Sequence, residues 1–183
     1  EEALKKHAVT IVLVFLAVAL GVWVWLGRDR VSEGERARRE KNVFVVWRRD
    51  ELTKLTISHD DETVVLERDA RPAGDQAEGK DGLWQMTSPR HERADPVAVE
   101  RLLSTLEFAV AARKVGDGAS LGFDVARATG TIRMGALEVP FTLGGPSPRP
   151  AGASYFRIGT EPPIFVTKEV AGALLASADT YRD

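Results

Sequence analysis

The chain has 183 residues, room for one domain with additions and too little for two ordinary domains. Its 25 basic and 27 acidic residues leave a formal net charge of −2, which removes any general electrostatic ground for binding nucleic acid. It contains no cysteine, so a disulfide scaffold, a thiolate metal site and a cysteine nucleophile are excluded.

The first residue is Glu1 rather than Met, and further residues are expected before it. From Ala8 to Leu26 the sequence runs nineteen residues without a charge, carrying Val9, Ile11, Leu13, Phe15, Leu16 and Leu20. A helix crossing a bilayer needs about twenty such residues at about 1.5 Å each. Lys5 and Lys6 precede the run and Arg28 follows it, while Trp23 and Trp25 sit near its end, where indole rings settle at headgroup depth. A cleavable signal peptide would have a shorter apolar stretch and a small-residue cleavage site, whereas this one closes on Trp-Leu-Gly-Arg. The expectation is a membrane anchor over residues 1–27 that spans the bilayer once. Two basic residues before the run and six after it, taken alone, favour a cytoplasmic domain.

Residues 28–42 follow as a juxtamembrane stalk. Ten of the fourteen residues from Arg28 to Lys41 are charged, and Glu35 and Arg39 stand at a helical i,i+4 spacing. Four interspersed acids favour a plain spacer over a phospholipid-binding patch.

From Val43 onward short apolar runs alternate with turn residues. Val43 to Trp47, Leu52 to Ser58 and Thr63 to Arg68 are predicted strands, the last two joined by the polar turn His59 to Glu62. Residues 69–82 carry no large apolar side chain and are expected to be a loop. Leu83 to Thr87 is the next strand, with Trp84 and Met86 on one face. A helix follows, with Asp95 as N-cap, Pro96 in its first turn, and Val99, Leu102, Leu103, Leu106 and Val110 on one stripe. Gly130 to Met134, Leu137 to Leu143, Ser154 to Ile158 and Ile164 to Thr167 are four more strands. Gly135 and Ala136 make a tight hairpin turn, and Gly144 to Gly152 a wide loop. Thr167 caps a last short helix bearing Val170, Ala171, Leu174 and Leu175. The fold class is α+β: one N-terminal transmembrane helix, then an antiparallel sheet or two small sheets with helices packed on one face.

Candidate chemistry is sparse. His59, Asp60 and Asp61, with His91 further on, gather metal-ligand residue types, and a cell-envelope hydrolase or metal-dependent enzyme is the alternative reading. Consecutive residues in a tight turn point in different directions, so an ordinary polar hairpin is the simpler one. No serine lies in a G-x-S-x-G elbow, and the glycine-rich pieces lack the lysine of a phosphate-binding loop. The strand aromatics read as core. No catalytic, cofactor or metal residues are assigned, and no cofactor is expected.

One succession of residues is distinctive as a set. Leu66-Glu67-Arg68 is followed by Trp84-Gln85-Met86-Thr87-Ser88-Pro89, by Ala94-Asp95 opening a helix with Leu102-Leu103, by Leu121-Gly122-Phe123-Asp124, by Tyr155-Phe156-Arg157, and by Tyr181-Arg182-Asp183. This order resembles a bacterial family of unknown function over residues 43–183. Its members are typically held by one N-terminal helix and are often encoded beside ABC transporters of the gliding-motility type, whose auxiliary subunit carries a similar region. The family's usual Tyr-Gly-Leu-Asp element stands here as Leu121 to Asp124. The resemblance makes Trp84, Thr87, Pro89, Asp95, Leu103, Gly122, Asp124, Tyr155, Arg182 and Asp183 structural motif positions. It implies a periplasmic domain over residues 43–183, held at the bacterial inner membrane and opposite in side to the charge count. It further implies permease and ATPase subunits of a transporter as partners. The sheet edges or the Pro-rich loop are expected to contact a partner or an envelope polymer.

Overall fold

The computed structural model describes residues 16–18, 41–68, 84–111, 115, 121–149 and 151–183. The chain divides into two compact units, Glu1–Arg38 and Arg39–Asp183. In the first, Leu16, Ala17 and Val18 are helical and exposed. The other residues of the expected anchor, Ala8, Val9, Ile11, Leu13, Phe15, Leu20, Trp23, Trp25 and Leu26 among them, lie outside the described residues, as do the stalk up to Glu40 and the expected loop over 69–82. Among the described residues no helix is long and apolar enough to cross a membrane.

The second unit is α+β, mostly antiparallel sheet. Its described residues form eight strands: β1 (Leu52–His59), β2 (Glu62–Arg68), β3 (Trp84–Ser88), β4 (Glu92–Arg93), β5 (Ala128–Met134), β6 (Leu137–Pro146), β7 (Ser154–Ile158) and β8 (Ile164–Val166). Helix α1 (Pro96–Glu107) follows β4, and α2 (Lys168–Leu174) follows β8. The sheet order is β4-β3-β2-β1-β5-β6-β7-β8, every neighbouring pair antiparallel. Two four-stranded meanders therefore fan out from a central β1/β5 pair, and each ends in a helix.

Alternation decides which face is covered. In β1, Leu55, Ile57 and His59 are buried while Lys54, Thr56 and Ser58 are half-exposed, and in β5 Ala128, Ile132 and Met134 are buried beside Thr129, Thr131 and Arg133. The inner residues join Val99, Leu102, Leu103 and Leu106 of α1 and Val170, Ala171 and Leu174 of α2 in one core. The short hairpins use the conformations their sequences supply. Asp60 turns the β1–β2 connection at φ 49° and Gly135 the β5–β6 connection at φ 58°.

Four segments differ from the sequence reading. Val43 to Trp47 is not a strand. Its contiguous apolar side chains offer no alternation, so Val43, Phe44 and Trp47 all plug inward, Phe44 lying edge-on to Phe141 at 6.5 Å and to Phe156 at 6.0 Å. Asn42, just before the segment, bridges to Val110. Gly144 and Gly145 belong to β6 rather than to a loop, because Leu121 and Phe123 lie close against them, where a side chain at Gly144 would collide. Glu92 and Arg93 pair with β3 as an extra strand after the cis Ser88–Pro89 bond. Helix α1 ends at Glu107, so Val110 leaves the expected stripe and is 50% exposed.

Candidate functional site

The motif residues serve different parts of the domain. Asp95 caps α1 by accepting a 2.8 Å bond from the Val97 amide, and its own amide donates to the Tyr181 carbonyl at 2.9 Å. Ala94 donates to the Trp84 carbonyl at 3.0 Å and bridges to Arg182. Around that bridge Arg182 Nε stands 3.2 Å from Glu92 Oε1, and Arg93 Nε 3.4 Å from Asp183 Oδ2. Asp95, Arg182 and Asp183, distant in sequence, thus meet at the outer edge of β4, the edge strand of the sheet, while Trp84 pairs on its inner side. Tyr181 is buried beneath this junction, its hydroxyl donating to the Ala173 carbonyl at 3.2 Å. Burial pushes its phenol up to about 12.

The remaining motif positions lie elsewhere. Leu103 is core. Gly122 takes φ 75°, and a methyl there would stand 2.6 Å from the Gly145 amide nitrogen, which itself donates to the Leu121 carbonyl at 2.9 Å. Asp124 and Pro89 are exposed and Thr87 is half-buried. Tyr155 packs on Phe165, ring centroids 5.2 Å apart.

Sequence reasoning missed what the register builds on the sheet face opposite the helices. Thr63, Ser58, Thr129, Thr142 and Arg157 are successive cross-strand partners over β2, β1, β5, β6 and β7. Ser58 Oγ and Thr63 Oγ1 are 3.0 Å apart. Thr56 and Thr131 form the parallel row next to it. The charges beside these rows are mostly neutralised, since Lys54 Nζ is 2.6 Å from Glu67 Oε1 and Arg133 pairs with Glu138. Arg157 differs. Its guanidinium lies over the Phe123 ring, 4.6 Å from the centroid, and its Nε is buried without a hydrogen-bond partner among the described residues. The alternating threonines were readable strand by strand, but only the pairing register aligns them.

The face offers hydroxyl donors and acceptors at the interstrand spacing of about 4.8 Å, suited to a polar partner. The residues of the alternative reading are arranged otherwise. His59 is buried, its Nε2 donating to the Ala176 carbonyl at 2.9 Å, while Asp60 beside it is 92% exposed. Its Nδ1 is 3.7 Å from Asp60 Oδ2 and has no hydrogen-bond partner among the described residues. Asp61 and His91 are exposed. Among the described residues no three His, Asp or Glu side chains are grouped to hold a metal ion.

Residues 84–183 match a family described as a domain of unknown function, DUF4340. The chain belongs to the DUF4340 family. The DUF4340 match begins at the first residue of β3 and takes in every motif position from Trp84 to Asp183. It starts later than the expected 43–183, although β1, which precedes it, pairs with β5 at the centre of the same sheet. No curated protein and no solved structure matches the chain.

Proposed function

We propose that this protein is a non-catalytic binding and assembly subunit, anchored in the bacterial inner membrane by residues 8–26 with its α+β domain in the periplasm. It is accessory to an ABC-transporter-type complex of the gliding-motility kind and contacts permease and ATPase subunits, with an envelope polymer as a further partner. The observation that carries the binding role is the helix-free sheet face, where a row of four hydroxyls over β2, β1, β5 and β6 ends on Arg157 of β7 and flanking charges are largely paired. Such a face suits a polar partner. The nineteen-residue uncharged run supports the anchored architecture. The side of the membrane rests on the resemblance against the charge count.

Two measurements test this. Affinity purification of the full chain from mild detergent is expected to bring down permease and ATPase subunits, and a clean monomer in several detergents overturns the assembly role. A reporter fused after Asp183 is expected to be active only as an exported enzyme. Activity of a cytoplasmic reporter instead reverses the orientation.

A further inference from the structure

We propose that Arg157 and the hydroxyl row it closes form a binding site for an acidic glycan, the arginine pairing with a sugar carboxylate and the row with sugar hydroxyls. The inference rests on, and deepens, the reading of this face as a binding surface with an envelope polymer among its partners.

Arg157 is a charge held in place without being neutralised. Its guanidinium carbon is 4.6 Å from the centre of the Phe123 ring, which attracts the cation while using none of its N–H donors. The ring is itself confined, because two of its carbons stand 3.0 and 3.1 Å from where a β-carbon on Gly144 would lie. Among the described residues the buried Nε has no hydrogen-bond partner and no carboxylate pairs with the guanidinium. Arg133 and Arg182 of the same domain, by contrast, pair with Glu138 and Glu92. A carboxylate arriving at the two terminal nitrogens of Arg157 would meet a planar fork that matches its own geometry.

The neighbours of Arg157 decide what carries that carboxylate. Thr142 is its direct cross-strand partner, and Thr129, Ser58 and Thr63 continue the line one strand at a time. Each adds a hydroxyl able to donate and to accept, at the interstrand step of about 4.8 Å. An extended β-linked sugar chain advances by a similar step per residue and bears hydroxyls along its length, so it matches the row as a line of repeating polar contacts. The next row, Val65, Thr56, Thr131 and Pro140, has no side chain large enough to anchor a protein partner. Beyond it Lys54 pairs with Glu67 and Arg133 with Glu138, so those charges are compensated within the face. Arg157 is left as the uncompensated charge at the end of the row, and a carboxylate-bearing glycan complements it.

The probes are a short β-linked oligomannuronate, the β-linked oligomannose that lacks its carboxylates, and oligoglutamate, an acidic chain without sugar hydroxyls. Binding to the full chain in mild detergent is measured by calorimetry. Oligomannuronate is expected to bind about tenfold more tightly than oligomannose, a preference that Arg157→Gln abolishes and that Arg157→Lys, which keeps the charge without the fork, retains in part. Thr129→Val, a change to a strand-favouring residue at an exposed position, is expected to weaken both sugars several-fold and reads the site independently if Arg157→Gln unfolds. No binding of either sugar, or a preference unchanged in Arg157→Gln, overturns the site. Undiminished binding by Thr129→Val overturns the role of the row. Oligoglutamate binding as tightly as oligomannuronate overturns the glycan in favour of an acidic peptide. Glycan binding absent while permease and ATPase subunits still co-purify overturns this inference alone, and a clean monomer that binds oligomannuronate overturns the assembly role alone.

Discussion

The guanidinium of Arg49 lies 2.9 Å from the carboxylate of Glu107, Nη1 to Oε2, tying the turn before β1 to the last residue of α1 across 58 positions of sequence. Glu100, two turns earlier on the helix, pairs with the same arginine. Burial alone would lower the Arg49 pKa, but the hydrogen bond it donates to Glu107 and the charge of Glu100 outweigh it and hold the value above that of a free arginine. The Arg49 side chain is 33% exposed and that of Glu107 11%, so the pair falls between a screened surface bridge and a buried one. Arg49→Ala is expected to lower stability by about 1–2 kcal/mol. Thermal unfolding of the full chain in detergent checks this, and a double-mutant cycle with Glu107→Gln isolates the pair from the other contacts of Glu107.

Much of this fold is legible in the sequence where a single physical pattern dominates. Asp95-Pro96 followed by Val99, Leu102, Leu103 and Leu106 states the start, face and type of α1, and the structure caps and buries those residues accordingly. Ser154–Ile158 is a strand with the expected bounds. Reading fails where pattern and packing disagree. Val43 to Trp47 looks like a strand because its residues favour extended backbone, yet these side chains are worth more as a plug into the core. Gly144 looks like a loop residue but permits close packing inside β6. Thr167 stands at the N-cap of α2 as expected, though its side chain makes no capping bond. The hydroxyl rows were out of reach, because strand order and register are set by contacts distant in sequence.

The backbone around Gly122 leaves no room for substitution. At φ 75° an L residue is strained, and the added carbon would stand 2.6 Å from the nitrogen of Gly145, whose N–H is already committed to the Leu121 carbonyl. Gly122→Ala is expected to cost at least about 2 kcal/mol and to loosen the Phe123 ring beneath Arg157. A fall in melting temperature well beyond that of Ala136→Gly, a change at an exposed turn position, is the readout.

Capping predicts a smaller effect at the start of α1. Replacing Asp95 by Ala removes the bond to the Val97 amide while keeping the backbone bond to Tyr181, and the expected loss is about 1 kcal/mol. Asp95→Ser keeps an acceptor at the same place and is expected to recover most of it. Chemical denaturation of the three proteins side by side tests the order.

The buried phenol of Tyr181 predicts how the domain responds to alkali. Its folded pKa is raised from the ordinary tyrosine value of 10.0 to about 12 because the anion cannot be solvated there. The folded state therefore holds the proton more tightly than the unfolded one. The sign follows directly: the contribution is complete below pH 10, where both states are protonated, and is lost as pH rises from about 10 through about 12, where the unfolded chain alone ionises. Each tenfold difference in proton affinity between the two states is worth about 1.4 kcal/mol, so the loss across that window is roughly 2–3 kcal/mol. Tyr181→Phe is expected to cost about 1 kcal/mol at neutral pH through the lost bond to Ala173, and to flatten the fall in stability between pH 10 and pH 12. Melting curves of both proteins across that range decide it, and parallel curves would remove the phenol as the cause of alkaline unfolding.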